Sequence, residues 1–272
     1  MDQYTFQKLN MVRLLLDLDG VLVKDKALNP FPDTVEFLRF LSDTGLPFKV
    51  VSNNSTRPPE EILQELKIKG VNLSKERLVT PLSVLPNYLR EKGLFHIFVI
   101  GTPSLKSYLE REGFHAIENH NVQAVVIGQD RSLDFRKIKV ATSAIFLSDA
   151  EIVPVNLSRI VKDDDGLYFP GAGSITQMLL HACNYNREVP NLGKPSKEFI
   201  NYALRDMPEG ETFLVSDDIY TDLIGAKDLG INTVFMTTGK YKREELLKTD
   251  FRPDFVFESL KDFGSFLKTF LR

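Results

Sequence analysis

Twice in this chain a short apolar run ends in aspartates and is followed by an amphipathic helix. That pairing restricts the fold more than any other feature. At the start, VRLLLDLDGVLV (12–23) reads as a buried strand over Val12 to Leu18, and its far end carries Asp17 and Asp19. DTVEFLRFLSDTG (33–45) sets Val35, Leu38 and Leu41 on one helical face, with Gly45 suited to a C-terminal cap. LPFKVVSNN (46–54) is a second strand with a polar end. PPEEILQELKIKG (58–70) is a second helix, with proline at its start, acids in its first turn, apolar Ile62, Leu63 and Leu66, and a closing glycine. Strand, helix, strand, helix implies a parallel sheet with right-handed crossovers. The rhythm returns late in the chain. TFLVSDD (212–218), NTVFMTTG (232–239) and PDFVFES (253–259) read as strands, while YTDLIGAKDLG (220–230) and LKDFGSFLKTFL (260–271) read as helices.

Between the two halves runs a separate cycle. LFHIFVIG (94–101) and VQAVVIG (122–128) read as strands, TPSLKSYLEREG (102–113) and LDFRKIKVATSAIFL (133–147) as helices. AEIVPVNLS (150–158) and GLYFPGAGS (166–174) close it before a helix over 174–184. The expected organisation is therefore one α/β domain from residues 1–80 and 187–272, with a second α/β domain, 81–186, inserted into it. KDDDG (162–166) reads as a solvated turn, and the twenty phenylalanines fall mostly at core periodicities.

Composition narrows the function. The chain has 272 residues, enough for one large or two smaller domains. A net charge of −3 provides no global basic field, which argues against nucleic acid or an anionic membrane as the main partner. A single cysteine, Cys183, excludes an internal disulfide and reads as a packed small apolar residue. With four scattered histidines it offers no Cys/His zinc set. The N-terminal stretch lacks the basic-then-apolar pattern of a secretory signal, and no window approaches the roughly 18–20 apolar residues of a membrane span. The expectation is a soluble cytoplasmic protein in which residues 1–10 are an arm before Met11.

Ligands of parallel sheets bind just past the carboxyl ends of the strands. Three polar clusters fall at such ends: Asp17/Asp19, Ser52/Asn53/Asn54 and Asp217/Asp218. If the strands are neighbours, all three share one crevice. Asp17 and Asp19 are two residues apart, so in an extended chain they point the same way. Paired carboxylates suit Mg²⁺, a hard cation that prefers oxygen and often keeps a substrate phosphate. One such carboxylate can attack as a nucleophile while the other serves as general acid and base. Taken alone, the pair also fits a turn with solvated acids.

Four stretches together identify a resemblance. DLDGVLV (17–23) resembles the first motif of the haloacid dehalogenase (HAD) superfamily, and VVSNNSTRP (50–58) the second, in the form of its p-nitrophenylphosphatase or NagD-like branch. LGKPSKEF (192–199) resembles the third motif, VSDDIYTDLIGAKDLG (215–230) the fourth, and FPGAGS (169–174) a segment of that branch's cap. The motifs occur in family order across nearly the whole chain. The resemblance implies a Rossmann-like parallel-sheet core with an inserted α/β cap that closes over the pocket. It implies Asp17 as nucleophile and Asp19 as the acid that protonates the leaving group and then activates water. It implies Mg²⁺ held by Asp17, the Asp19 backbone carbonyl and Asp217. Ser52 and Asn53, with neighbouring Asn54, would bind the phosphoryl group, Lys194 would neutralise its charge, and Asp222 would support Lys194 or the metal from behind. The acid at Asp19 favours phosphate ester chemistry over dehalogenation. The implied activity is hydrolysis of a small phosphomonoester. Phosphotransfer to another hydroxyl and non-catalytic binding of a phosphorylated metabolite are the alternatives. Caps of this kind can pair two chains, which leaves a homodimer through the cap as an open expectation.

Three positions depart from the family pattern. Ser216 stands where the fourth motif has glycine, and Asp218 stands where it has arginine. Asp218 either supports a cation near the metal or faces solvent, and by motif alignment Asp217, not Asp218, is the metal ligand. NLS (156–158) replaces the usual NPD in the cap, where Asn156 would face substrate. Gly171 and Gly173 belong either to that substrate loop or to a tight connection, and Arg57 either touches substrate or lies on the helix-start surface.

Overall fold

The computed structural model describes residues 12–163 and 165–269, so the expected arm before Met11 lies outside the described residues. In chain order, β1 (Val12–Asp17), α1 (Thr34–Thr44), β2 (Phe48–Val51), α2 (Pro59–Ile68), β3 (Leu78–Val79) and α3 (Pro81–Glu91) come first. Next are β4 (His96–Ile100), α4 (Pro103–Arg111), β5 (His115–Ala116), β6 (Ala124–Ile127), α5 (Phe135–Ser148) and β7 (Glu151–Pro154). The hairpin β8 (Ile160–Lys162) and β9 (Tyr168–Pro170) leads into α6 (Ala172–Ala182). The chain closes with α7 (Lys197–Leu204), β10 (Glu211–Ser216), α8 (Ile224–Asp228), β11 (Asn232–Met236), β12 (Phe255–Phe257) and α9 (Leu260–Thr269). The fold is α/β. The elements group into two units by contact, one of residues 1–52, 59–79 and 194–272, the other of 53–58 and 80–193. The contact grouping differs from the expected bounds at residues 53–58, 80 and 187–193, which group with the inserted unit.

In the first unit six parallel strands lie in the order β12-β11-β10-β1-β2-β3. β1 is central because its Leu14, Leu15 and Leu16 are almost wholly buried and suit a strand covered on both faces. Leu16 is opposite Val50 on one side and Val215 on the other. From β1 the chain builds outward through β2 and β3, then returns to the other flank with β10. The direction of winding therefore reverses between β1 and β10, and a crevice opens there at the carboxyl ends.

The helix over 33–45 forms, but its buried face is Thr34, Phe37, Leu38 and Leu41, while Val35 is 37% exposed. Phe37 packs against Phe263 of α9 with ring centroids 5.7 Å apart and the rings tilted by 35°, and that aromatic contact sets the helix rotation. The inserted unit has its own four-stranded parallel sheet, β5-β4-β6-β7, and the antiparallel β8-β9 hairpin. Most phenylalanines are buried or half-buried, but Phe135 and Phe146 on α5 are exposed. The expected solvated turn at 162–166 carries an ion pair between Asp163 and Arg131 at 2.7 Å. Cys183 is half-buried, and its thiol contacts the Thr142 carbonyl oxygen at 3.7 Å. Among the described residues no helix is long and apolar enough to cross a membrane.

Candidate active site

β10, β1 and β2 are adjacent, so the acids after β10, the acids after β1 and Ser52 after β2 come out at neighbouring strand ends. Asp17 is the last residue of β1 and is buried, 3% exposed. Its Oδ1 pairs with Lys194 Nζ at 2.6 Å, and its Oδ2 accepts from Ser216 Oγ at 3.1 Å. Lys194 Nζ also donates to Asp222 Oδ2 at 2.8 Å. The same Asp222 oxygen accepts from Ser216 Oγ at 2.6 Å. Burial holds the Asp17 carboxyl well above the usual carboxylate range, with Asp222 and Asp217 adding to the rise and Lys194 opposing it. Burial works against the Lys194 cation, but Asp17 and Asp222 outweigh it and raise its affinity for the proton.

Past β1 the chain turns sharply. Leu22 N and Val23 N both donate to the Leu18 carbonyl, at 3.0 and 2.9 Å, and Gly20 N donates to Val23 O at 2.8 Å. Gly20 takes a φ of 76°. This turn leaves the Asp19 side chain exposed, with Oδ2 accepting from the buried Ser52 hydroxyl at 3.0 Å. The two acids of the DLD stretch thus differ in environment: one is buried against a cation, the other faces solvent beside a hydroxyl.

Asp217 follows β10 and is buried, 6% exposed. Its Oδ2 accepts from Lys240 N at 2.5 Å. Two glycines make room for this carboxylate: a Cβ on Gly20 would stand 2.0 Å from Asp217 Oδ2, and one on Gly239 would stand 1.9 Å from it. Burial raises the Asp217 carboxyl above its ordinary range, against the Lys240 N–H and the charge of Lys194. Among the described residues no group of three or more His, Cys, Asp or Glu side chains is arranged to hold a metal. Asp17 and Asp217 are buried carboxylates at this crevice, the two that the resemblance assigns to the metal together with the Asp19 backbone carbonyl. All are hard oxygens. Lys194 is ion-paired to Asp17 and Asp222, and the buried Asp217 adds a third carboxylate nearby, so the oxygen donors and the excess negative charge fit a divalent cation such as Mg²⁺.

Asp218 is half-buried, with both carboxylate oxygens engaged. Its Oδ1 accepts from Tyr220 N at 3.1 Å and Thr221 N at 2.9 Å, and its Oδ2 pairs with Lys240 Nζ at 2.9 Å. Burial pulls this carboxyl upward, but the Lys240 and Thr221 bonds win and hold it below its ordinary value. The expected helix over 220–230 begins instead as a π-turn, Ile219–Leu223, before α8. Asp222 N and Leu223 N both reach the Asp218 carbonyl at 3.2 Å. The wide turn brings Asp222 inward, 2% exposed, onto Lys194. Lys194 itself precedes α7, whose first turn is capped by Ser196 Oγ accepting from Phe199 N at 3.1 Å.

Asn53 and Asn54 group with the inserted unit. Asn54 Oδ1 accepts from Thr56 N at 3.2 Å and Arg57 N at 3.1 Å, which fixes the turn before α2. Asn53 Oδ1 stands close to Gly193, 2.9 Å from where a Cβ there would sit. In the same unit Asn156 Nδ2 donates to Ser55 Oγ at 2.6 Å, and Asn156 Oδ1 accepts from Ser158 N at 2.9 Å and Ser158 Oγ at 2.6 Å. A Cβ at Gly171 or Gly173 would lie 2.4 Å from the Ser158 or Leu157 carbonyl oxygen, so close backbone packing alone accounts for both glycines.

Sequence reasoning passed over Gly239 and Lys240. Gly239 closes the TTG that follows the apolar β11, and Lys240 comes next, so the end of an apolar run marked this position as it did the others.

Residues 14–115 match a family model described as haloacid dehalogenase-like hydrolase, and residues 191–263 match a HAD-like hydrolase model. An acid sugar phosphatase of Staphylococcus haemolyticus is 28% identical over 249 residues, covering 90% of this chain and 92% of that protein. A 5'-nucleotidase of Bacillus subtilis is 28% identical over 251 residues, covering 91% and 95%. The solved structure of a p-nitrophenyl phosphatase from Archaeoglobus fulgidus superposes with a TM-score of 0.81 at 27% identity, covering 94% of this chain and 98% of that one.

Proposed function

This chain belongs to the haloacid dehalogenase-like hydrolases and is a phosphatase of that family; from that premise we propose that it hydrolyses a small phosphomonoester through an aspartyl-phosphate on Asp17, with Mg²⁺ as cofactor. The substrate classes are sugar phosphates, short phosphorylated acids and nucleotides. The observation that carries the reading is the contrast between two acids two residues apart. Asp17 is buried and ion-paired to Lys194, while Asp19 is exposed and held by Ser52.

In this reading an Asp17 carboxylate oxygen attacks phosphorus, and the bond from phosphorus to the ester oxygen breaks. Asp19, in its acid form, gives its proton to the departing oxygen. The resulting Asp19 carboxylate then takes a proton from water as that water attacks the acyl phosphate. The bond between phosphorus and Asp17 breaks, and inorganic phosphate leaves with Asp17 restored. Ser52 orients Asp19 for both transfers through its 3.0 Å hydrogen bond. Lys194 stays charged throughout, because both acids beside it favour its cation, and it offsets the negative charge that gathers around Asp17. Asp222 keeps Lys194 in place. Asp17, Asp217 and the Asp19 backbone carbonyl would hold Mg²⁺, which supplies charge neutralisation of the phosphoryl oxygens.

The test is steady-state release of inorganic phosphate from p-nitrophenyl phosphate and a panel of phosphomonoesters, with Mg²⁺ or EDTA, for the native chain and Asp17→Asn. Turnover is expected to need Mg²⁺ and to fall at least ~10³-fold in the variant. Near-native turnover by Asp17→Asn, in a preparation free of other phosphatases, overturns the mechanism. Phosphate recovered on an added sugar rather than in solution would reassign the reaction as phosphotransfer. Tight ligand binding with no turnover would leave a binding role.

A further inference from the structure

Ser216 closes a ring of buried polar groups. Going round it, Asp17 Oδ1 meets Lys194 Nζ at 2.6 Å, Nζ meets Asp222 Oδ2 at 2.8 Å, that oxygen meets Ser216 Oγ at 2.6 Å, and Oγ returns to Asp17 Oδ2 at 3.1 Å. Ser216 is the last residue of β10, is fully buried, and its Oγ also accepts the Asp218 N–H at 3.1 Å. Each oxygen of Asp17 therefore faces its own partner: Oδ1 the Lys194 ammonium as an ion pair, and Oδ2 the Ser216 hydroxyl, whose one proton it shares with Asp222. Partners on opposite oxygens restrict the plane of a carboxylate more than a single ion pair does.

We propose that Ser216 is a positioning residue: its hydroxyl locks the orientation of the Asp17 carboxylate for attack and couples it to Asp222. The inference rests on the phosphatase reading above. A glycine at this position, as in the fourth motif this stretch resembles, offers no donor to Asp17 Oδ2. Serine has one hydroxyl proton and two carboxylate acceptors. When the charge on Asp17 is drawn into the bond to phosphorus, that proton has Asp222 Oδ2 to turn to, already the nearer of the two. The buried hydroxyl is then not left without an acceptor. Orientation of this kind acts on the chemical step more than on substrate binding.

The experiment compares Ser216→Ala, Ser216→Gly and Ser216→Thr with the native chain, reading kcat and KM on p-nitrophenyl phosphate at saturating Mg²⁺, with thermal unfolding in parallel. Alanine fills the space with a methyl group and offers no proton. Glycine opens room for a water that can donate in its place. The expected kcat order is serine, then glycine, then alanine. Alanine should be reduced at least about tenfold, KM should stay within about twofold throughout, and threonine should rescue much of the loss. Stability should run the other way for the two truncations, since glycine loosens a strand more than alanine does. Near-native kcat in Ser216→Ala, or an activity order that follows stability, overturns the positioning role while leaving the phosphatase reading intact. A native chain that releases no phosphate from any ester removes both.

Discussion

Replacing Gly239 by alanine probes the site through space alone. Its added methyl would stand 1.9 Å from Asp217 Oδ2 and 2.7 Å from Gly20 Cα, where real methyl contacts do not come below 3.0 Å. The carboxylate has to retreat by about 1 Å or more, and in doing so it leaves the Lys240 N–H that now holds it at 2.5 Å. Rotation of Asp217 does not relieve everything, because the second clash is with backbone. The Gly20 turn must also shift, and that turn sets the direction of Asp19. Overpacking of this kind costs roughly 1–3 kcal/mol of stability, which in a chain of this size lowers the melting temperature by several degrees. Misplacement of a ligating or reacting group by about 1 Å costs on the order of 10²-fold in rate. Mg²⁺ accepts little variation from its roughly 2.0–2.1 Å ligand distances, so the Mg²⁺ concentration for half-maximal activity should rise as well. The assay is kcat/KM on p-nitrophenyl phosphate across a Mg²⁺ titration, with thermal unfolding to confirm that the variant is folded. A folded Gly239→Ala with native rate and native Mg²⁺ dependence would refute the placement of Asp217 in the metal site.

Lys194→Met removes the cation between two buried acids. It should abolish turnover and lower stability by about 3–5 kcal/mol in urea unfolding at pH 8, with part of that recovered at pH 5 as the buried Asp17 takes up a proton. For the native chain without metal, burial raises the folded-state affinity of Asp217 for its proton above the unfolded value. The stability this group contributes is thus fully present below the unfolded pKa and is lost as pH rises through the raised folded one. The difference in melting temperature between native chain and Asp217→Asn should therefore move against the native chain as pH rises. Mg²⁺ should stabilise the native chain, not the variant, on the alkaline side. Gly264→Ala lies within α9, where the new methyl meets Phe37 at 3.4–3.7 Å, an ordinary contact. It should stabilise the fold by up to about 1 kcal/mol and leave turnover unchanged, as urea unfolding and the phosphate assay would show.

Alternation of apolar runs with amphipathic helices was readable because a strand covered on both faces has to be apolar throughout, as Leu14, Leu15 and Leu16 are. Strand ends were readable for the same reason: the apolar run stops where the crevice begins. Features set by tertiary contact were not. Nothing local tells Val35 from Phe37, since the aromatic face of α9 decides which is buried. Pro86 hid α3, although Thr80 and Ser83 cap it reciprocally, Thr80 N donating to Ser83 Oγ at 3.1 Å and Ser83 N to Thr80 Oγ1 at 3.3 Å. The π-turn at Ile219–Leu223 depends on the Asp218 carboxylate being drawn to Lys240, a partner 22 residues away. A serine after an apolar run gives no hint that its hydroxyl will meet two acids, one of them 199 positions distant.

That separation has a consequence for synthesis of the chain. β1 is made well before β10, so its β10 flank stays unpaired until residues 211–216 emerge. Throughout that interval the nascent protein carries an open apolar strand edge, the kind of surface on which chains aggregate or chaperones settle. The inserted residues 80–193, by contrast, have their own parallel sheet complete before the other half of the first sheet exists. A nascent chain stalled anywhere before residue 211 holds Asp17 with neither Ser216 nor Asp222 made. Closing the sheet and assembling the acids are thus one late, long-range event.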